Sequence, residues 1–171
     1  MFVAITGTPG TGKSSVAAVL SSRGYHVVDL DAEAEKLGLI ETDASGDRLI
    51  DVDALARALR VPTKIAFFMG YYAHRMPVNA TIVLRCHPRA LRERLEARGW
   101  PAEKVQENVE AEAIDIVLQE AVQEGSPVFE IDMTRLTPAE GADAVLGILQ
   151  GRIRGHEPGS IDWSEEVLSW Y

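Results

Sequence analysis

Near its start the chain reads Gly7-Thr-Pro-Gly10-Thr-Gly12-Lys13-Ser14-Ser15, the order G-x-x-x-x-G-K-S, which suits the holding of a polyphosphate. Gly10 and Gly12 let the backbone turn tightly and bring its N–H groups toward anionic oxygens. A helix beginning at Lys13 adds the positive end of its dipole and its unpaired donors. Lys13 can reach the β- and γ-phosphates, and the Ser14 hydroxyl can ligate Mg²⁺. Ser15 follows as a further hydroxyl at the helix start. The loop is preceded by the apolar run Phe2 to Ile5 and followed by a segment rich in Ala, Val and Leu. Strand, loop and helix are therefore in the order a phosphate loop requires, and ATP with Mg²⁺ is the expected ligand.

Two further groups could act on a bound phosphate. The second apolar run ends in Asp29-Leu30-Asp31; if the strand runs through Leu30, both carboxylates point to one face. Such a pair can hold Mg²⁺ through water, accept a proton or bind a substrate hydroxyl. The alternative is a strand-end Asp followed by a helix-capping Asp. Further on, Leu91-Arg92-Glu-Arg94-Leu95-Glu-Ala-Arg98-Gly99 sets Arg94 and Arg98 four residues apart on one helical face. Their guanidinium groups could clamp a transferring phosphoryl group, or belong to a solvated face paired with Glu93 and Glu96, the reading given to Arg89 and Arg92. His26 and His87 are read as structural, and no His/Cys spacing suggests zinc.

The elements that must position these residues alternate along the chain. Strands are expected at Phe2 to Ile5, Tyr25 to Leu30, Lys64 to Met69, Thr81 to Cys86 and Val128 to Ile131. Helices are expected at Lys13 to Arg23, Asp31 to Leu37, Asp53 to Leu59, Pro88 to Arg98, Ala102 to about Gln123, and after Thr137, which caps the last of them with Pro138 in its first turn. An acidic loop holds Asp43, Asp47, Asp51 and Asp53, and Gly99-Trp100-Pro101 breaks the chain where a lid would hinge. Near-continuous apolar strands between helices predict a five-stranded parallel sheet covered on both faces, with the ligand at the carboxyl ends of its strands.

The 171 residues fit one domain that buries roughly two-thirds of its unfolded surface. The organisation expected is an α/β P-loop domain over residues 1–153 and a polar, then aromatic, tail over 154–171. No apolar run approaches the roughly twenty residues of a membrane span, and Met1 leads directly into the first strand, so no leader is expected. The single cysteine, Cys86, agrees with a cytoplasmic location and reads as a buried small residue. A net charge of −9 argues against non-specific nucleic-acid binding and suits a basic protein partner. The chain has no Asn-Lys-x-Asp string for reading guanine, and its length leaves no space for a motor or helicase. What remains is a small P-loop kinase, with a substrate-binding insertion after the second strand and an arginine-bearing lid late in the chain.

The phosphate-loop string, Val-Leu-Arg-Cys-His-Pro (83 to 88), Leu-x-x-Arg-Leu-x-x-Arg-Gly (91 to 99) and Glu-Asn-Val-Glu-Ala-Glu-Ala (107 to 113) together resemble the archaeal branch of the adenylate kinase isoenzyme six family. The resemblance implies an ATP-dependent nucleoside monophosphate kinase with a weak ATPase. It further implies a role in maturing the small ribosomal subunit, through transient binding of the small-subunit ribosomal protein number eleven. Carried over, Gly10, Gly12, Lys13, Ser14 and Ser15 would bind ATP phosphates, and about 29–49 would form the monophosphate-binding region. Residues near 97–107 would form the lid, with Arg98 on ATP, and the stretch from Met133 to Thr137 would lie beside the adenine. One departure stands out. The family's third strand usually ends in an acid and, two residues on, a histidine tied to hydrolysis; here Met69 and Tyr71 occupy those places. His74 lies close by and reads as readily as a surface or helix-start histidine. An ATP-binding assembly factor with vestigial kinase activity, and a shikimate- or gluconate-type kinase, are the rival readings.

Overall fold

The computed structural model describes residues 1–42, 48–61 and 63–170. Along that length the chain forms β1 (Phe2–Thr6), α1 (Lys13–Ser22), β2 (His26–Asp29), α2 (Leu30–Lys36), β3 (Ile40–Thr42), β4 (Arg48–Ile50), α3 (Val52–Ala58) and β5 (Ala66–Met69). A 3₁₀ turn (Ala73–Arg75) leads to β6 (Ala80–Arg85), α4 (Pro88–Ala97), α5 (Ala102–Ala113), α6 (Ile116–Gln123), β7 (Val128–Asp132), α7 (Pro138–Leu149) and α8 (Ser164–Leu168). Five strands pair in parallel in the order β2-β5-β1-β6-β7, as the apolar runs predict. Because β1 lies between β5 and β6, the phosphate loop leaves the carboxyl end of the central strand, where open α/β sheets bind ligands.

Strand residues alternate between the two faces. Val3, Ile5, Phe67, Ile82 and Leu84 pack with Val16 and Leu20 of α1 and Val145 and Ile148 of α7. Ala4, Val28, Ala66 and Phe68 pack on the opposite face with Leu30 and Ala34 of α2 and Val52 and Leu55 of α3. Each fully buried Leu, Ile or Phe here contributes on the order of 1.5–3 kcal/mol, so the sheet has a covered face on each side and its strands need no polar alternation. Among the described residues no helix is long and apolar enough to cross a membrane.

Three local readings change in the folded chain. The long helix expected from Ala102 to Gln123 is two helices, α5 and α6, divided at Ile114-Asp115. Asp115 takes a left-handed backbone, with φ 61°; such a residue ends one helix and re-aims the next, and neither a Gly nor a Pro marks the place in sequence. The acidic loop is partly ordered as an antiparallel hairpin of β3 and β4, with Asp51 capping α3 through its bond from the Ala54 N–H (2.8 Å). Asp43 and Asp47 lie outside the described residues. The second strand stops at Asp29, so Asp29 and Asp31 do not share a strand face. Asp29 instead caps α2, accepting from the N–H groups of Asp31 (3.0 Å) and Ala32 (3.2 Å).

The segment after residue 153 is packed on the body of the domain. His156 exchanges bonds with the free edge of β7, its carbonyl accepting from the Glu130 N–H at 2.8 Å and its Nδ1 lying 2.7 Å from the Glu130 carbonyl. Covering an edge strand in this way removes a ladder of unpaired groups. On α8, Glu166 accepts from Arg89 (2.9 Å), so Arg89 is tied to the C-terminal segment and not to Glu93.

Candidate functional site

The phosphate loop is shaped by sterics as much as by hydrogen bonds. Gly10 has φ 93° and Gly12 φ 107°, backbone conformations costly for any residue with a Cβ. A Cβ at Gly10 would also sit 2.7 Å from Leu91 Cδ1 and 3.0 Å from Leu95 Cδ2. The loop therefore packs directly against α4, and the same helix carries the candidate arginines.

Lys13 opens α1, and its ammonium donates to the carbonyls of Gly7 (2.6 Å) and Thr8 (3.0 Å). Burial lowers it from the ordinary lysine value to about 8; the Glu112 and Asp31 carboxylates oppose that shift, and Arg98 adds to it. A cavity of about 230 Å³ lies over the loop, lined by Gly10, Gly12, Lys13, Ser14, Ser15, Asp31, Tyr71 and Arg98 among others. Seven of the predicted site residues thus meet in one place. Asp31 reaches it from the first turn of α2, where its Oδ1 accepts from the Tyr72 hydroxyl (3.0 Å). Asp29 does not line this cavity.

Arg94 and Arg98 share a face of α4 but have different surroundings. Arg94 donates to the carbonyls of Met133 (2.8 Å) and Thr134 (3.1 Å) and so fixes the loop after β7. A neighbouring cavity of about 280 Å³ is lined by Gly12, Ser15, Arg94, Arg98, Met133, Leu136 and Pro138. Arg98, the C-cap of α4, lines both cavities. Thr137 forms the cap expected of it: its hydroxyl accepts from the Glu140 N–H at 3.2 Å, and Glu140 returns a bond to the Thr137 N–H at 2.8 Å. That reciprocal pair occupies the hydroxyl, while its neighbours Leu136 and Pro138 face the cavity.

Among the described residues no group of three or more His, Cys, Asp or Glu side chains could hold a metal alone. The donor set at the loop, one hydroxyl (Ser14) and one carboxylate (Asp31), fits Mg²⁺, which takes few protein ligands and completes its shell with phosphate oxygens and water.

Three histidines have structural partners, and one of them departs from a surface reading. His74 is buried in the 3₁₀ turn, contrary to a surface placement; its Nδ1 lies 3.2 Å from Thr6 Oγ1, whose own proton goes to the Tyr71 carbonyl (2.7 Å). Burial, with Arg75 nearby, lowers it to about 4, so it is neutral. His87 caps α4 through the Arg89 N–H (3.3 Å), and its ring meets the Trp163 ring edge-on at 5.1 Å. His156 bonds the edge of β7. Cys86 is buried, its thiol pushed up to about 11 by desolvation, which agrees with a structural residue and not a nucleophile.

What residue-by-residue reading missed lies directly behind the loop. Arg85, buried at the end of β6, donates to Glu112 (2.8 Å), Asp115 and Glu130. Glu112 also accepts from the Thr8 hydroxyl at 2.6 Å. The signal was a lone arginine inside an otherwise apolar strand, Thr-Ile-Val-Leu-Arg-Cys, since an isolated charge is seldom buried without carboxylate partners.

A family described as AAA domain matches residues 3–115. The "Putative adenylate kinase" of Archaeoglobus fulgidus is 43% identical over 170 residues, covering 98% of this chain and 94% of that one. A protein of the same name from Thermococcus onnurineus is 40% identical, covering 97% of this chain and 93% of its own. Among solved structures, shikimate kinase from Acinetobacter baumannii in complex with shikimate superposes with a TM-score of 0.62 at 15% identity, over 88% of this chain and 93% of that one. A gluconokinase from Sinorhizobium meliloti does so with a TM-score of 0.58 at 20% identity, over 90% and 93%. Identities this low show the fold alone, whereas those to the archaeal proteins extend over nearly the whole of both chains. This chain therefore belongs to the archaeal adenylate kinase family and is an adenylate kinase-like small-molecule kinase of the P-loop fold.

Proposed function

We propose that the chain transfers the γ-phosphoryl group of Mg·ATP to a nucleoside monophosphate, AMP first among them. The observation that supports this reading is the meeting of two cavities. Asp31 and Tyr71, which line the cavity over the phosphate loop, also line a larger one of about 780 Å³. Its other walls include Arg48, Tyr72, Arg75 and Trp100. Two guanidinium groups suit an acceptor phosphate, and the aromatic rings suit a flat base. A donor over the loop and an acceptor beyond Asp31 would meet beside Asp31 and Tyr71, and phosphoryl transfer then needs positioning and charge stabilisation without a covalent intermediate. Ser14 and Asp31 would hold Mg²⁺, and Arg98 would stabilise the charge of the moving group. Assaying purified protein with ATP against AMP, CMP, UMP, shikimate and gluconate tests the reading; AMP-dependent ADP formation is expected, and turnover confined to shikimate or gluconate would refute it.

One observation favours a second reading, an ATP-binding factor in small-subunit maturation. Met69 ends β5 as a buried apolar side chain, where the resemblance implies an acid that orders the attacking water. Binding of the small-subunit ribosomal protein number eleven, an RNA-binding and hence basic class of partner, would suit the net charge of −9. A saturable complex with that protein, dissociated by ATP, would support it. The missing acid also yields a rate prediction. Water needs activation to attack, whereas an acceptor phosphate brings its own oxygen nucleophile. Introducing Met69→Asp with Tyr71→His should raise ATP hydrolysis about tenfold, below the roughly 10²–10⁴ that a fully positioned acid–base group supplies, and change AMP phosphorylation less. Equal hydrolysis by wild type and double variant at saturating Mg·ATP would show that another residue already orders the water.

A further inference from the structure

A continuous chain of buried polar contacts runs from the phosphate loop to the C-terminal segment. It begins at Thr8, whose carbonyl accepts from Lys13 (3.0 Å) and from the Thr11 hydroxyl (2.9 Å). The Thr8 side chain points away from the ligand side and donates to Glu112 Oε2 at 2.6 Å. Glu112 is 2% exposed. Its other oxygen accepts from Arg85 Nε (2.8 Å), the Cys86 N–H (3.0 Å) and the Trp163 indole (3.4 Å). Arg85 continues to Glu130, whose Oε2 accepts from the N–H groups of Gly159 (2.6 Å) and Ser160 (3.1 Å). The Trp163 ring lies 6.0 Å from the Arg85 guanidinium carbon. Of the four donors to the Glu112 carboxylate, Arg85 and Cys86 are placed by the end of β6 and Trp163 by the C-terminal segment, and the fourth is Thr8 of the phosphate loop.

We propose that Glu112 is a positioning residue of the ATP site: clamped by Arg85 and the 156–163 segment, it fixes Thr8 and so presets the phosphate loop. The inference rests on the reading of that loop as the ATP site. Its physical basis is pre-organisation. A loop whose N–H groups already converge loses less freedom when the polyphosphate arrives, and Thr8 is the residue on which the bonds from Lys13, Thr11 and Glu112 meet. The bond from a hydroxyl to a buried carboxylate is of the charge-assisted, strong kind. Glu112 is buried and lines none of the three cavities at the site, so it acts through Thr8. The effect belongs on ATP affinity and not on the chemical step.

Thr8→Val, which keeps the shape and removes the hydroxyl, should raise KM and Kd for Mg·ATP about tenfold, the size expected for a hydrogen bond to a charged group, with kcat within about threefold. Thr8→Ser should restore wild-type affinity. Glu112→Gln should weaken ATP binding similarly, and the Thr8→Val/Glu112→Gln double variant should be no weaker than Glu112→Gln alone, because the two act through one contact. If Glu112→Gln does not fold, the Thr8→Val loss and Thr8→Ser rescue decide the matter by themselves. Thr8→Val with unchanged ATP affinity would overturn the inference, as would additive effects in the double variant, which would make Glu112 a general stability residue. Calorimetry of wild type with Mg·ATP separates the two levels: no binding at all would overturn the ATP-site reading itself, whereas tight binding in wild type and Thr8→Val alike overturns only this inference.

Discussion

Lys13→Ala should reduce ATP-dependent turnover by on the order of a thousandfold while leaving the fold intact. The scale follows from removal of a preorganised charge at a transferring phosphoryl group, worth about 10²–10³ or more. Lys13 is the lysine of the cavity over the loop, and Arg98, the C-cap of α4, lines the same cavity. Alanine cannot replace either its charge or its two bonds to the Gly7 and Thr8 carbonyls. The core packs on strands and helix faces that do not involve the ammonium, so circular dichroism and thermal unfolding should stay close to wild type. The same group sets a pH dependence. Its folded value, lowered to about 8 by burial, means that the free site loses its cation as pH rises through about 8. Affinity for Mg·ATP should fall on that side and hold below it. For stability the sign is opposite: the folded chain releases this proton more readily than the unfolded one, so the penalty for burying the cation is relieved as pH rises from 8 toward the ordinary lysine value. A variant with wild-type nucleotide affinity and turnover would remove the phosphate-loop assignment.

The second large effect separates the two carboxylates that looked equivalent in sequence. Asp31→Asn should lower turnover about a hundredfold and raise the Mg²⁺ concentration needed, because Asp31 is the carboxylate lining the cavity over the loop and such a group orders the metal's waters. Asp29→Asn should change turnover little, since Asn also caps helices well. Asp29→Ala should instead lower stability by about 1 kcal/mol, the usual cost of losing such a cap. Turnover at limiting Mg²⁺, set beside thermal unfolding, checks all three. Equal turnover in the two Asn variants would deny Asp31 its role.

How much of this was legible beforehand depended on whether the signal was local. The phosphate loop, the parallel sheet and the capping of α7 by Thr137 are written in short strings whose chemistry permits few alternatives. The Asp29-Leu30-Asp31 face was misread because a strand and a helix N-terminus both accept that tripeptide. The outcome turned on Asp29 finding the N–H groups of Asp31 and Ala32. The break at Asp115 was illegible for a related reason. Nothing near it disfavours helix, and Asp115 is held by Arg85, thirty residues earlier. Tertiary pairing of that kind also hid the network behind the loop. Glu112 sits in an amphipathic-looking run, and its partners Thr8, Arg85 and Trp163 come from three separate parts of the chain. Arg94 resembled Arg98 by spacing alone, yet it is engaged by the Met133 and Thr134 carbonyls.

Direct phosphoryl transfer would run between the two cavities that meet at Asp31 and Tyr71. The most direct measurement follows ATP labelled at its γ-phosphorus, mixed with AMP and wild-type protein, and resolves the nucleotides over time. The label should appear in the β-position of ADP newly formed from AMP, with two ADP produced for each AMP consumed and little free phosphate. Label released as inorganic phosphate while AMP remains unchanged would contradict it and identify the site as one of hydrolysis alone.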